Sequence, residues 1–571
     1  MKLLRVDMDQ LQTRWEPVPA VYERLGGRAL IAKLLLEEVP PTCDALGPHN
    51  KLVFAPGLLG GVNVTTCGRL SVGGKSPLTR GAKEANAGGT AGDTLGKLDI
   101  KAVIVEGQAA KGNWYILHIQ GDSAELIPAN EVLRFGTYGT SDRLQEKFGK
   151  ESTVISIGQG GEWRMGGAGI CVTGEGGQRS NHAARGGLGA VMGGKGLKAV
   201  VIDKPAAGKV AAMANAELLR TAARTFAQKL INDPKLGKSG TQHLYGTASI
   251  VAAVNEMGSL PTRNFSNGNF EGAETLRGEH LREVTLARGG EVGTRCMPGC
   301  VIACRNVYVD ESKKPIVGTL QFETIALMGS NLGLSNLDDV ARLNRMCNDF
   351  GLDTIETGAA VGVAIEAGLA KFGDYESIRA LLAQVGEGTA LGRLIGSGAV
   401  ATGRVLGIRR VPAAVGQGMP GYDPRSLKGN GVTYATSPQG ADHTAGNAFG
   451  ARKEVNPLGT EGQKELSLKL QIIAAMLDST GLCLFARPPI IADPQLMVDM
   501  VNGRYGWGWT VEDYNQFNRQ VLRDELEFNR RAGLTSADYR IPEFMREEPL
   551  PPHNATFNIP DSVLDTVFEK L

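Results

Sequence analysis

The chain has 571 residues, room for roughly two to four ordinary domains and more than a single hydrophobic core usually serves. Its 61 basic and 60 acidic residues leave a formal charge of +1, which argues against a nucleic-acid binder or a membrane clamp working by bulk charge. Apolar residues make up 42% and charged residues 21%, ordinary for a folded protein, but glycine is unusual: 77 residues, about twice the usual share of about 7%.

Along the chain, 35 of those glycines fall within the first 200 residues, embedded among Val, Ile and Leu and without a three-residue period. They separate short β-type runs at 101–106, 114–119 and 198–203. Strands joined by glycine-rich connections predict sheets whose loops come close to a ligand, because backbone N–H groups reach phosphates or flat rings best where no Cβ intervenes. From about Val210 the texture becomes helical, with apolar residues at helical spacing over 211–230, 337–346, 355–370, 375–394, 465–477 and 510–528. The expected organisation is α+β: a β-rich domain over 1–203 and two mainly helical ones over 204–410 and 411–571. No repeat of fixed period is evident. No stretch approaches the ~18 apolar residues of a spanning helix, and the charged start MKLLRVDMDQLQTRW lacks the apolar core of a secretory signal. Both predict a cytoplasmic protein without a membrane span.

Eight cysteines are too few for a disulfide framework in so long a chain. Cys296, Cys300 and Cys304 form a triplet, C-x3-C-x3-C. On an unbroken helix the outer two would lie about 12 Å apart along the axis, but Pro298-Gly299 forces a bend that lets the sulfurs converge, with Cys300 and Cys304 about one helical turn apart. Converging thiolates suit an iron–sulfur cluster or a zinc ion, and buried thiols acting as small hydrophobes are the plain alternative. Cys483 is the best remaining fourth ligand. The loop Arg185-Gly-Gly-Leu-Gly-Ala-Val-Met-Gly-Gly-Lys195 is a poor dinucleotide fingerprint, since its spacing is not G-x-G-x-x-G and no clear strand leads into it. A phosphate-cradling loop of another kind explains the same glycines. Glu323 is a carboxylate in an apolar run and His443 is one of only seven histidines. Taken alone, these read as a solvent-touching helix face and a turn or core histidine, respectively.

An ordered set of segments carries a more specific signal: Gly26-Gly-Arg-Ala-Leu30, Asn50-Lys-Leu-Val-Phe54, Gly68-Arg69, Lys75-Ser-Pro-Leu-Thr79, Asn86-Ala-Gly-Gly89, Ile157-Gly-Gln-Gly-Gly-Glu162, the Arg185–Lys195 loop, the cysteine triplet, Asn331-Leu-Gly333, Gly351-Leu-Asp-Thr354, Tyr422-Asp-Pro-Arg425 and Asp478–Cys483. Over nearly its whole length the sequence resembles the tungsten-dependent aldehyde:ferredoxin oxidoreductases. The resemblance implies a β-rich saddle of two sheets beneath a tungsten ion (or molybdenum) held by the dithiolenes of two pterins. It further implies a Mg2+ bridging the pterin phosphates and a [4Fe–4S] cluster nearby. Carried residue by residue, it assigns the cluster to Cys296, Cys300, Cys304 and Cys483, and the magnesium to backbone carbonyls at Asn86 and His182. Arg69 would link cluster and pterin. Arg185, Asn348, Asp353, Asp478 and Leu482 would contribute to cofactor binding, and Glu323 and His443 would be the acid–base pair.

Three departures stand out. The commonest family spacing is C-x2-C-x3-C. The first of the two D-x-x-G-L pterin loops begins here with Asn348, leaving Asp349 or Asp353 to compensate. An E-x-x-H metal pair found at a dimer interface in some members is replaced by Arg342 and Arg345, which removes that site and points to a hetero-oligomer with a small iron–sulfur subunit. The expected activity is oxidation of an aldehyde with water to a carboxylic acid, the electrons passing to ferredoxin or to such a subunit. The alternatives are the same cofactor acting on acyl or aromatic thioesters, and a non-catalytic iron–sulfur electron-transfer subunit.

Overall fold

A computed structural model describes residues 1–177 and 181–571. Two six-stranded sheets occupy its N-terminal part. The first contains β1 (Lys2–Asp7), β2 (Gln12–Pro17), β3 (Leu52–Pro56), β4 (Leu70–Lys75), β5 (Ala82–Ala87) and β6 (Ile100–Glu106), in the order β2-β1-β6-β3-β4-β5. The second contains β7 (Tyr115–Gln120), β8 (Ser123–Pro128), β9 (Thr153–Ser156), β10 (Ile170–Val172), β11 (Asn181–Ala183) and β12 (Leu197–Ile202), in the order β8-β7-β12-β9-β10-β11. In each sheet only one pair is parallel, β1 with β6 and β7 with β12.

Strict alternation explains the layering. Leu4, Val6, Phe54, Val103 and Val105 on one sheet share a core with Leu117, Ile119, Ile155, Val200 and Ile202 on the other. Their neighbours along the strands point outward: Leu3, Val53 and Ile104 pack on helix α1 (Gly27–Glu38), and Ile116, Val154 and Val201 pack beside Leu144 of α3 (Thr137–Phe148). Period-two apolar patterning thus buries both faces of each sheet.

The two sheets are copies of one topology. The run β1-β2-α1-β3-β4-β5-α2-β6, with α2 at Ala91–Lys97, recurs as β7-β8-α3-β9-β10-β11-α5-β12, with α5 at Leu188–Gly194 and extra short turns inserted, among them α4 (Gln159–Glu162) after β9. No fixed period appears in the sequence because loop lengths differ: the first strands start at Lys2 and Tyr115, the last at Ile100 and Leu197. The free edges β5 and β11 pack against each other, so the two copies meet there. β11 also corrects an expectation, since a three-residue strand does lead into the Arg185 loop.

Beyond β12 the chain is mainly helical, as its apolar spacing predicts; α6 spans Ala216–Ile231. One feature of this region was not expected: a three-stranded sheet of Glu291–Thr294, Arg305–Val309 and Pro315–Val317. Thr294 pairs with Arg305, so the cysteine triplet forms the loop of an antiparallel hairpin. Gly299 supplies the bend at φ 68°, but Cys300–Cys304 is not a helical turn, and Ala303 sits at φ 47°. Among the described residues no helix is long and apolar enough to cross a membrane.

Candidate active site

Two helices of the C-terminal part deliver matching loops to the two sheets. The helix Gln463–Thr480 ends at Gly481 and the helix Leu337–Phe350 at Gly351, both left-handed (φ 83° and 70°). Gly68 N–H donates to Gly481 O and Cys483 N–H to Thr66 O, at 3.1 and 2.9 Å. In the other copy Gly169 N–H donates to Gly351 O and Asp353 N–H to Gly167 O, at 2.8 and 2.9 Å. Leu482 bridges Cys67 as Leu352 bridges Ala168. These contacts make Asp478 the counterpart of Asn348 and Cys483 the counterpart of Asp353. The approach is close enough to demand glycine: a Cβ on Gly57 would lie 2.1 Å from Gly481 N, and one on Gly158 2.4 Å from Phe350 C.

The half-sites share geometry and differ in charge. Asp478 Oδ1 accepts from Asn86 Nδ2 at 2.9 Å, and Oδ2 from Arg28 Nη1 at 3.3 Å. Arg28, 2% exposed, also donates twice to Glu525, and Arg69 donates through Nε and Nη2 to Asn86. Burial pushes the Asp478 carboxyl up to about 6 against the pull of Arg28 and Arg69. In the second half, Tyr138 takes the place of Arg28 as the second residue of its helix and faces the Asn348 side chain, its hydroxyl buried and without a hydrogen bond of full geometry. A carboxylate–guanidinium pair on one side is matched by an amide–phenol pair on the other. His182 Nε2 lies 3.4 Å from Asn348 O, and burial lowers this imidazole to about 4, so it is neutral at pH 7. Asn86 and His182 stand on the abutting strands β5 and β11. Asp349 accepts from Tyr138 N–H, whereas Asp353 caps the next helix and reaches Arg185.

Arg185 and Lys83 fix the segment that carries His443. From the second copy, Arg185 donates to Asp353 Oδ2 (3.2 Å), Ala441 O (2.8 Å) and Gly418 O (2.5 Å). From the first copy, Lys83 donates to Asp442 Oδ2 (2.8 Å) and Gln439 O (3.0 Å). Against the cost of burial, Lys83, Arg185 and His443 hold Asp442 ionised well below the usual carboxylate range. One cation from each copy therefore pins this loop. His443 Nε2 lies 3.3 Å from Glu323 Oε1, while Glu323 Oε2 accepts from Gly421 N–H at 2.7 Å. Glu323 is in the first turn of the helix Phe322–Met328, and its side chain is 13% exposed, so it is not a solvent face. Burial raises its pKa, opposed by His443, the Gly421 N–H and Arg185. Tyr422 lies 6.0 Å from the His443 ring and 4.9 Å from Phe322, centroid to centroid.

The four expected cysteines are brought together. Burial raises the Cys300 thiol to about 12 and the Cys304 and Cys483 thiols above their ordinary values, and Cys296 adds to each rise. Gly89 N–H donates to Cys296 O at 2.8 Å, joining this loop to the end of β5. Among the described residues no three His, Cys, Asp or Glu side chains close to single-ion distance.

Sequence reasoning missed Arg28, Lys83, Glu84, Glu356 and Asp442. Glu84 is buried within electrostatic reach of Asp478 and Arg28, burial and Asp478 lifting it to about 8. Glu356 accepts from Gly418 N–H and Ala399 N–H and approaches Arg185. Glu356 carried the same signal as Glu323, a carboxylate in an apolar run.

The profile of the aldehyde ferredoxin oxidoreductase N-terminal domain matches residues 3–204, and that of domains 2 and 3 matches residues 221–571. The chain belongs to the aldehyde ferredoxin oxidoreductase family. Tungsten-containing aldehyde ferredoxin oxidoreductases of Pyrococcus furiosus and Thermococcus kodakarensis are each 32% identical, over 92% of this chain and 88% of theirs. The WOR-like subunit of an aliphatic sulfonate oxidoreductase from P. furiosus is 25% identical, over 91% of this chain and 84% of its own. Among solved structures, the BamBC active-site complex of benzoyl-coenzyme A reductase, bound to 1,5-dienoyl-CoA, shares the fold of this chain. The TM-score is 0.82 at 19% identity, covering 100% of this chain and 93% of that one.

Proposed function

We propose that this protein oxidises aldehydes to carboxylic acids, using water, at a tungsten (or molybdenum) centre held by two pterins. In this reading Asn86 and His182 would hold a Mg2+ through their backbone carbonyls, and Cys296, Cys300, Cys304 and Cys483 would hold a [4Fe–4S] cluster. What carries the proposal is the Glu323–His443 pair. Glu323 Oε1 and His443 Nδ1 are both buried without a hydrogen bond, Glu323 in the first turn of its helix and His443 on a loop tied by one cation to each copy of the repeat. Orphaned buried polar atoms are costly and rare unless a ligand or water completes them.

The residues fit the implied groups. Asp478, Asn86, Arg69 and Arg28 offer acceptors and donors for one pterin, and Asn348, Tyr138 and Arg185 for the other. The buried thiols suit deprotonation by a metal. When bound, the metal centre would supply two-electron oxidation chemistry, and the cluster would supply a one-electron path to ferredoxin or a small iron–sulfur partner subunit. The protein's own part is proton handling and positioning. The raised pKa of Glu323 makes it a competent base for the attacking water, with Oε1 as the receiving atom because Oε2 is held by Gly421. His443 Nε2 faces Glu323, which leaves Nδ1 to donate to the developing oxyanion. Tyr422 packs beside both Phe322 and the His443 ring and lines this pair with an apolar surface.

Elemental analysis of anaerobically purified protein, with a viologen-coupled aldehyde assay on the same sample, tests this. About one W or Mo and about four Fe per chain with aldehyde-dependent reduction is expected. Iron alone, or a loaded metal with no aldehyde turnover, would overturn it.

A further inference from the structure

The cysteine hairpin meets the surface at its tip. Gly299, between Cys296 and Cys300, is exposed, and a Cβ built on it would touch nothing within 4 Å. Consecutive Cα atoms are about 3.8 Å apart, so a cluster ligand, Cys300, lies one residue from solvent. This tip is rigidly held: Thr65 Oγ1 donates to Gly299 O at 2.9 Å and accepts from Val301 N–H at 3.1 Å. Fixed geometry at the exit point favours electron transfer, because the donor does not reorganise.

Against this tip lies a groove of about 380 Å3, whose other wall is α6. Met213, Ala223 and Val210, the last 39% exposed, give it an apolar floor. Arg220 and Arg224 stand on the same wall, one helical turn apart and both exposed, and no acidic residue lines the groove. Among the described residues neither arginine side chain makes an ion pair or hydrogen bond, so both guanidinium charges face the groove and solvent uncompensated. Unpaired arginines around an apolar floor are the composition of an interface core and its steering rim.

We propose that this groove is the docking surface for a small electron carrier, an iron–sulfur protein with an acidic face, seated over Gly299 and held by Arg220 and Arg224. The proposal rests on the functional reading above and adds where the electrons leave and what recognises their acceptor. Neither arginine has a part in the catalytic or cofactor-binding machinery.

The test compares the wild-type holoenzyme with Arg220→Glu/Arg224→Glu and with the milder Arg220→Ala/Arg224→Ala. A purified ferredoxin of net negative charge is the probe, and its affinity is measured by calorimetry at 50 mM and 500 mM salt, alongside ferredoxin and viologen reduction rates. The expected result is roughly a ten-fold or greater loss of affinity at low salt for the Glu pair, a smaller loss for the Ala pair and convergence at high salt. Viologen reduction should be unchanged. Equal ferredoxin affinity in all three proteins would overturn the docking surface, as would a parallel loss of viologen turnover. Absent turnover in every protein, with the affinity differences intact, would count against the catalytic reading alone.

Discussion

Replacing Lys83 with Met isolates the buried charge on which the His443 loop rests. Lys83 Nζ lies 2.8 Å from Asp442 Oδ2, and the side chains are 0% and 5% exposed. Deleting one partner of such a pair costs about 3–5 kcal/mol, since the remaining charge stays in a medium of low dielectric constant. Met preserves most of the stem, so lost packing is a minor part. The sign of the pH dependence follows from the depressed pKa of Asp442. The folded value lies below the unfolded one, so the stabilisation is complete above about pH 3.9 and is lost only as pH falls through the folded value. The wild-type pair should therefore contribute equally at pH 5 and pH 8. In Lys83→Met the carboxyl pKa rises, protonation relieves the stranded charge, and the deficit should be largest at pH 8 and shrink toward pH 4.5. Lys83→Met/Asp442→Asn removes both charges and should recover most of the loss. Thermal melts of the four proteins of this cycle at both pH values measure the coupling. A Lys83→Met deficit below about 1 kcal/mol, the worth of an exposed pair, or strict additivity of the two changes, would refute the reasoning.

Glu323→Gln and His443→Ala should each lower kcat by at least roughly a hundred-fold, the usual span of general acid–base catalysis, with metal content unchanged. Because burial raises the Glu323 pKa, the acid limb of the wild-type kcat/KM profile should fall off above the ordinary carboxylate range and vanish in the Gln variant; retained turnover with the metal loaded would sink both roles. Asn348→Asp should destabilise the second half-site by about 1–3 kcal/mol and reduce pterin content, because Tyr138 offers a buried carboxylate no charge. Asn348→Asp/Tyr138→Arg should restore both, reproducing the Asp478–Arg28 arrangement. A silent Asn348→Asp would mean that Arg345, 3.7 Å from the Tyr138 ring centroid, supplies the cation instead.

What the sequence disclosed and what it withheld divide along the distance between partners. Strands such as β6 and β12 and helices such as Leu337–Phe350 are written in local period, two or 3.6, and the bend at Pro298-Gly299 in local chemistry. Cys300–Cys304 misled because four-residue spacing also fits a hairpin loop, and the pairing of Thr294 with Arg305 that makes it one depends on strands that spacing alone does not announce. Lys83 and Asp442 are 359 residues apart, and Arg28 and Glu525 are 497 apart; each alone is an ordinary surface residue type, and only the fold converts it into a buried ion pair.

The repeat was hidden for a deeper reason. Backbone bonds such as Cys483 N–H to Thr66 O and Asp353 N–H to Gly167 O constrain shape without constraining side chains, so the two copies could diverge in chemistry while keeping their geometry. That freedom explains the asymmetry of the site. The first copy, which receives the Asp478–Cys483 loop, faces the cysteine loop and carries the Asp478–Arg28 charges. The second copy, which receives the Asn348–Asp353 loop, carries Arg185, which reaches toward the acid–base residues, and has the neutral pair Asn348 and Tyr138 in place of the charged one. In the proposed enzyme a duplicated cradle would thus hold two like ligands, one beside the electron exit and the other beside the proton-handling groups. The neutral pair then avoids adding a buried carboxylate to a half-site that already contains Asp353, Glu356 and Glu323, where Arg185 is the shared cation.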